Sequence, residues 1–409
     1  MTDLSVFQPL FPEEHVLAPL QERAAELIGG CHRLTAQAGT RLAAALRPLL
    51  RAMNSYYTNK IEGQHARPPD IERALVAQFD ADVVAARKQR LALAHMAAEA
   101  ELESLAASAT VETLYRGAWV ARIHRALYER LPIEDRVADA GEPIVPGSFR
   151  ARDVTAGRHL APPFGDVEEL LDGWAARYRM LAGTELRLVG AACAHHRLLW
   201  IHPFIDGNGR TARLHTHLVL HAFGLTQGLW SPMRGLARRH ESYFARLNNA
   251  DLPRRNDLDG RGPLSQEELV AFAAFFLDAC VDQVGFMAAT LDLTGLRERI
   301  KDVLAFLAAH PWWLGSERSV IKLDALEALH YTAMVGEVDR ARFVAMTGLP
   351  ARTGRRVLAS LIDAGLLKSA SSRAPVAFAV PPGSLRFLFP RLWPEAEAEA
   401  WPGHLGRET

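Results

Sequence analysis

Twelve residues, His202-Pro-Phe-Ile-Asp-Gly-Asn-Gly-Arg-Thr-Ala-Arg213, hold most of the side chains in this sequence that could do chemistry together. His202 can take a proton near neutral pH. Asp206 is a hard carboxylate of the kind that holds Mg²⁺ between phosphate oxygens. Gly207 and Gly209 flank Asn208 in a loop that opens a helix, which leaves several backbone N–H groups free as an anion nest. Arg210 and Arg213, three apart, share one face of the first turn. Cations there oppose the helix macrodipole at about 0.3–1 kcal/mol each, a sign that a bound polyphosphate reverses. Each feature alone has a bland explanation, as a buried histidine, a turn or a solvated arginine pair. In this order they make a kit for attack on a nucleotide phosphate. A Walker P-loop does not fit, because GxxxxGK[ST] is absent and no strand precedes the loop.

Such a loop needs a helix on either side. The apolar run Val189 to Ile201 supplies the first, and Pro203 forbids its simple continuation. The second is expected over 209–223, stopped by Gly224. Helical spacing also covers 17–53, through Leu20, Ala24, Leu27, Ile28, Leu42, Ala45, Leu46 and Leu50. Further helices are expected over 70–107, begun at Arg67-Pro68-Pro69-Asp70, and over 166–182, 184–200, 236–249, 265–290 and 292–310. Residues 135–163 carry Pro143, Pro146, Pro162 and Pro163. They read as an irregular loop with a small hairpin made from pieces such as Pro143-Ile-Val and Ser148-Phe-Arg. The stretch 336–382 changes rhythm: a helix over 339–347, a Gly348-Leu-Pro turn, a helix over 351–364, Gly365, then two short strands. Residues 394–409, rich in Glu, Ala, Pro and Gly, are expected to fray.

Composition narrows the class. The 409 residues are 49% hydrophobic and 23% charged, with 47 basic against 47 acidic side chains. That balance argues against a nucleic-acid coat or an acidic tail and leaves room for one local basic patch. Cys31, Cys193 and Cys280 are odd in number and far apart, with no CxxC, so neither a disulfide framework nor a zinc ribbon is expected. Uncharged apolar runs fall short of a membrane span, and the first residues lack a basic and apolar leader. The expectation is a cytoplasmic protein of two or three domains with no membrane partner.

The 202–213 segment resembles the signature of Fic-domain proteins, HPFx[DE]GNGRxxR, at each fixed position. The likeness runs from about Leu114 to Val284. It takes in Ile123-His-Arg-Ala-Leu127, Pro146-Gly-Ser-Phe-Arg150, Pro162-Pro163 and Ala271 to Leu277. It implies a mainly α fold, a Fic helical core with a β-hairpin flap, in which residues 111–290 form the Fic domain. It also implies a nucleotidyltransferase that moves AMP from ATP to a Tyr, Thr or Ser hydroxyl of a protein. By the same resemblance His202 is the base, Asp206 holds Mg²⁺, and Phe204 packs the loop into the core. Asn208 and the backbone of Gly207 and Gly209 hold the α- and β-phosphates, Arg210 the β-phosphate and Arg213 the γ-phosphate. The flap at 144–156 docks the target by strand addition.

Upstream, Thr58-Asn-Lys-Ile-Glu62-Gly63 places Thr58 and Glu62 four apart on one helical face, with Gly63 able to end the helix. Glu62 then sits at the unfavourable end of the macrodipole. The segment is similar to the [ST]xxxE[GN] inhibitory helix of Fic proteins. The resemblance implies a helical N-terminal region, 1–110, in which Glu62 pairs with Arg213 and blocks the γ-phosphate site. A reverse activity, AMP removal, is an alternative. Tyr56 and Tyr57, where relatives tend to have small residues, are candidate self-modification sites.

Other signals are weaker. His217 and His221, at i and i+4, could share a metal, although helix packing is preferred. Asp257, Asp259, Gly262, Ser265 and Glu268 match EF-hand positions 1, 3, 6, 9 and 12, but Arg261 stands at position 5. A capping turn before Ser265 is therefore preferred. Tyr243, with Phe244 and Leu247, is a candidate adenine wall or core packing. Residues 339–380 resemble a winged helix-turn-helix within a C-terminal unit of 291–393, with Arg352, Arg355 and Arg356 on its second helix and Arg373 on the wing. DNA is thus a candidate partner, as is a second copy of the chain. The alternative in another class is a DNA-binding regulator whose Fic site senses nucleotide or modifies itself.

Overall fold

The first helix, α1 (Ala18–Ile61), has 44 residues and so spans about 65 Å at 1.5 Å per residue. In the computed structural model, which describes residues 3–138, 141–310 and 320–395, it is the spine against which the rest packs. The side chain of Leu42 and most of the 394–409 tail fall outside what is described. Leu20, Ala24, Leu27, Cys31 and Leu34 are buried at steps of three and four residues, so one stripe of α1 faces the core. A helix this long is held by that burial rather than by propensity. Its end is set by chemistry. Gly63 is left-handed at φ +69, its N–H bonds the carbonyl of Lys60, and the N–H of Gln64 bonds that of Asn59. This is a Schellman closure, and it fixes Glu62 at the rim of the helix.

The expected helix 70–107 is two, α2 (Pro68–Leu75) and α3 (Val83–Ala106). Ala77, at φ +60, breaks the run, and Asp82 restarts it by accepting the N–H of Ala85 at 2.8 Å. After the short α4 (Val111–Leu114) come α5 (Gly117–Tyr128), α6 (Val167–Tyr178), α7 (Thr184–Ile201) and α8 (Asn208–Ala222). The expected 236–249 helix is also two, α9 (Pro232–Arg238) and α10 (His240–Ala250).

The closing helix α11 (Gln266–Thr290) is long and apolar enough to cross a membrane by length and composition. The sequence reading passed over it because Asp278 and Asp282 interrupt the uncharged run. Here Leu269, Phe272, Phe276, Cys280 and Met287 are buried against α1, α7, α9 and α10, so the apolar surface is core.

The flap differs from expectation. Its strands are β1 (Thr155–Ala156) and β2 (His159–Leu160), antiparallel around Gly157 at φ +62. Neither Pro143-Ile-Val nor Ser148-Phe-Arg forms a strand; Pro143 makes one isolated bridge to Val137. Pro143 and Ile144 instead pair with residues 136–137, and Arg150 turns to the carbonyls of His202, Pro203 and Pro162.

Beyond α12 (Leu296–Ala309) the order is α13 (Leu326–Val335), β3 (Glu337–Val338), α14 (Arg340–Met346), α15 (Ala351–Asp363), β4 (Leu367–Lys368) and β5 (Val376–Phe378). The three strands form an antiparallel sheet in the order β3-β5-β4. The chain then returns to α1. Trp393 is buried edge-on to Tyr56, with ring centroids 5.8 Å apart, and Tyr57 donates its hydroxyl to Glu395 Oε2 at 2.7 Å. Glu395, within the stretch expected to fray, is therefore docked on α1. Tyr56 and Tyr57 are 5% and 1% exposed, which overturns their reading as modification sites.

Candidate active site

The motif loop begins where α7 is forced to stop. His202 caps α7 in a left-handed conformation, φ 51 and ψ 59, which costs a non-glycine residue about 1–2 kcal/mol. Pro203 follows and disfavours the helical alternative. What holds His202 there is Arg150, which is 5% exposed. Its Nε donates to the His202 carbonyl at 2.8 Å, its Nη2 to the Pro162 carbonyl at 2.5 Å, and its backbone N–H to the Pro203 carbonyl at 2.9 Å. Phe204 is fully buried and stacks on His124 with centroids 3.9 Å apart and planes 5° apart. His124 in turn accepts the N–H of Gly147 on Nδ1 at 2.9 Å and donates from Nε2 to the Asp206 carbonyl at 3.2 Å.

The His202 ring is half-buried, and burial lowers its pKa to about 4, so it is neutral at pH 7. Its Nδ1 donates to the Leu199 carbonyl at 3.3 Å. That bond leaves Nε2 with the lone pair a base needs.

Asn208 differs from the role expected of it. Its side chain accepts the Phe204 N–H at 2.9 Å and returns a bond to the Phe204 carbonyl at 2.8 Å. The amide therefore ties the loop to itself, and any phosphate contact would fall to its backbone. The Gly207 N–H likewise goes to Asp206 Oδ1 at 2.5 Å. Gly207, at φ +82, lies against Tyr128, where a Cβ would sit 2.5 Å from the phenol oxygen. The first-turn N–H groups of Asn208, Gly209 and Arg210 have no intrahelical acceptor, and Asn208 and Gly209 line the cleft. Asp206 Oδ2 has only a long contact, 3.5 Å, to Arg210. One such carboxylate, with phosphate oxygens completing the shell, suits Mg²⁺.

Arg213, on the second turn of α8, is 1% exposed and bound from α1. Its Nε donates to Thr58 Oγ1 at 2.8 Å and its Nη2 to the Thr58 carbonyl at 3.2 Å. Nη2 also forms an ion pair with Glu62 Oε1. The Glu62 carboxylate lies over Gly209, in the space a Cβ there would take. Burial would raise the Glu62 pKa, but Arg213 and Arg210 outweigh it and hold the carboxyl below its usual value.

His202, Asp206, Gly207, Asn208, Gly209 and Arg213 line one cleft of about 730 Å³, together with Glu62, the flap and α10. Tyr243 is both wall and core: it lines the cleft yet is fully buried, with its hydroxyl 2.7 Å from His195 Nε2. The flap is pinned by a group the sequence reading missed. Asp251, at the end of α10, holds His159 Nδ1 at 3.3 Å and His196 Nε2 at 3.2 Å, while His159 Nε2 donates to the Trp200 carbonyl at 2.7 Å. Burial opposes protonation of His159, but Asp251 wins and raises its pKa.

The weaker signals resolve differently. His221 Nδ1 meets Thr226 Oγ1 at 3.0 Å, whereas His217 turns to Glu103 at 2.9 Å, so the two histidines do not share a ligand. In the EF-hand-like stretch, Asp259 accepts from Ser265, Glu267 and Arg255, and Glu268 pairs with Arg255. Ser265 caps α11 through the N–H of Glu268 at 3.1 Å. The stretch is a capping turn in which Asp259 and Glu268 are already bound, while Asp257 is fully exposed. All three cysteines are buried thiols.

Residues 117–220 match the Fic/DOC family. The protein adenylyltransferase Fic of Drosophila mojavensis is 38% identical over 96 residues, which is 23% of this chain and 19% of that protein. The chain thus matches about a fifth of that relative's length. The crystal structure of a Fic family protein from Desulfovibrio desulfuricans G20 superposes with a TM-score of 0.52 at 18% identity, over 92% of this chain and 99% of that one. Fic-1 from C. elegans gives 0.51 at 19% identity, over 68% and 75%. At these identities the two structures bear on the fold alone, and they share its helical core.

Proposed function

We propose, from the Fic domain at residues 117–220, that this chain transfers AMP from ATP to a Tyr, Thr or Ser hydroxyl of a protein and that Glu62 restrains the reaction. The observation that carries this reading is the single cleft shared by His202, the α8 N-terminus, Asp206 and Arg213. In the step, the target oxygen forms a bond to the α-phosphorus and the bond from that phosphorus to the β-bridging oxygen breaks. His202 Nε2 takes the hydroxyl proton, and pyrophosphate leaves. The α8 N–H groups and Arg210 hold the β-phosphate. Asp206 would hold Mg²⁺, which when bound offsets charge on the phosphate oxygens. A target segment adds to the flap strand, near the base.

Glu62 enters because Arg213 cannot serve two anions. While Thr58 and Glu62 occupy the guanidinium, a γ-phosphate has to displace a carboxylate and accept its charge nearby, so ATP sits unproductively. ATP labelled on the α-phosphate, given to the Glu62→Gly chain with a protein acceptor, should leave label on protein, whereas γ-labelled ATP should not. Label from the γ-position would mean phosphoryl transfer instead.

AMP removal is a second reading. It is supported by the Glu62 carboxylate, held ionised inside the cleft, where it can accept a proton from an attacking water. AMP release from modified protein that Glu62→Ala abolishes would establish it. For the C-terminal unit, exposed Arg352, Arg355, Arg356 and Arg373 support a winged-helix contact with duplex DNA. Binding to duplex that weakens steeply with salt tests this.

A further inference from the structure

Behind the active-site helix lies a buried polar cluster that no step of AMP transfer uses. His95, Glu99 and Glu103 recur every four residues on α3 and so share one face. That face meets His217 on α8. Each of the four is at most 4% exposed. His217 Nε2 is 2.9 Å from Glu103 Oε1 and 3.9 Å from Glu99 Oε1, and the ligand atoms of Glu99, Glu103 and His217 all lie within 4.8 Å of one another. A tetrahedral zinc ion with bonds of about 2.0–2.2 Å has edges of about 3.3–3.6 Å, a length these two separations bracket.

Three side chains of the cluster carry unpartnered atoms, His217 at Nδ1 among them. Glu99 Oε2 and both ring nitrogens of His95 are buried without a hydrogen bond, and His95 Nδ1 points to within 3.7 Å of Glu99 Oε2. Native structures rarely leave such atoms unsatisfied. The other carboxylate oxygens are already oriented from outside. Arg51 donates to Glu103 Oε2 at 2.5 Å, Asn54 to Glu99 Oε1 at 2.8 Å, and Ser231 to Asn54 Oδ1 at 2.6 Å. An outer layer of this kind fixes ligating carboxylates around an ion.

We propose that Glu99, Glu103 and His217 form a site for a divalent first-row transition ion, Zn²⁺ foremost, with His95 as the adjoining fourth donor. The imidazoles and the buried setting select against Mg²⁺, which keeps oxygen ligands and waters. The site is separate from Asp206. Its location gives it a structural consequence: His217 lies one turn beyond Arg213 on α8, and Arg51 and Asn54 lie on α1 within two turns of Thr58. An ion there ties α3 to the helix that carries Arg213 and, through the two outer residues, to the helix that carries Glu62.

The test uses the tag-free full chain, stripped with a chelator, dialysed, then titrated with zinc sulfate against a chromophoric competitor. Metal content is read after gel filtration. One equivalent retained by the wild type and by Asp206→Ala, with affinity reduced at least about 100-fold in Glu103→Gln and in His217→Asn, is the expected result. No retained zinc in the wild type, or equal retention by both variants, overturns the site and leaves a buried ion pair with adventitious surface binding. Should the variants fail to fold, cobalt decides on the wild type. A visible band saturating at one equivalent supports the site, and its absence overturns it.

Discussion

Glu62 and Arg213, 151 residues apart in sequence, form an ion pair inside the cleft that also holds His202. The pair joins the Schellman end of α1 to the second turn of α8, so the same guanidinium that would meet a γ-phosphate is already bound. The first expectation concerns its neighbour. Thr58→Ala removes the Nε acceptor at 2.8 Å but leaves Glu62 in place, so AMP incorporation should rise to a level between wild type and Glu62→Gly. A coupling between nucleotide and inhibitor of about 1–3 kcal/mol corresponds to a span of roughly 5–150-fold. Steady-state incorporation at fixed ATP measures it, and an unchanged rate would show that Thr58 only packs.

Arg150 should matter to turnover more than to binding. It holds the carbonyl of strained His202 and touches no phosphate position. In a Glu62→Gly background, Arg150→Lys is expected to lower kcat on the order of 100-fold, the scale of a misplaced catalytic group, with the KM for ATP little changed. A rise in KM with kcat intact would mean that Arg150 shapes the nucleotide pocket instead.

The pH dependence has a definite sign. Burial lowers His202 from 6.5 to about 4, so the base stays free as pH falls through 6.5, and kcat should drop only near pH 4. Glu62 is also depressed, below 4.5. Its pairing is present above that value and is lost as pH falls through its folded pKa. The ratio of Glu62→Gly to wild-type activity should therefore stay constant from pH 8 to about 5. An acid limb centred near 6.5 would contradict the assigned state of His202.

Asp251 anchors the flap through His159. Asp251→Asn keeps the shape but removes the charge that raises the His159 pKa, so the flap should open more often. Tryptic cleavage after Arg158, which is exposed in the hairpin turn, should quicken roughly fivefold, a loss of about 1 kcal/mol of local protection. An unchanged cleavage rate would show that the Trp200 carbonyl alone holds the hairpin.

What the sequence revealed was what it carries locally. The 202–213 loop is contiguous, and each of its residue types has one chemical use at that spacing. Thr58, Glu62 and Gly63 are likewise set by one helical turn and its cap. The residues that position the site were hidden, since Arg150 and His202 are 52 residues apart and His124 and Asp206 are 82 apart. No periodicity links such pairs. The break between α2 and α3 did leave a signal, Asp82 ahead of an apolar run, but the alanine-rich sequence on both sides masks it. The flap strands of two residues each are too short for alternation to register. Asn208 shows a different limit: its place in the motif is plain, but only coordinates reveal that its amide closes on Phe204.

The most direct test of a restrained AMP transferase is intact mass after incubation with ATP and Mg²⁺, on wild type, Glu62→Gly and Glu62→Gly/His202→Ala, each with and without a generic protein acceptor. A mass gain of one AMP on the chain or on the acceptor with Glu62→Gly, at least several-fold above wild type and absent when His202 is replaced, is the expected result. Equal modification of wild type and Glu62→Gly, or modification that survives His202→Ala, would contradict it.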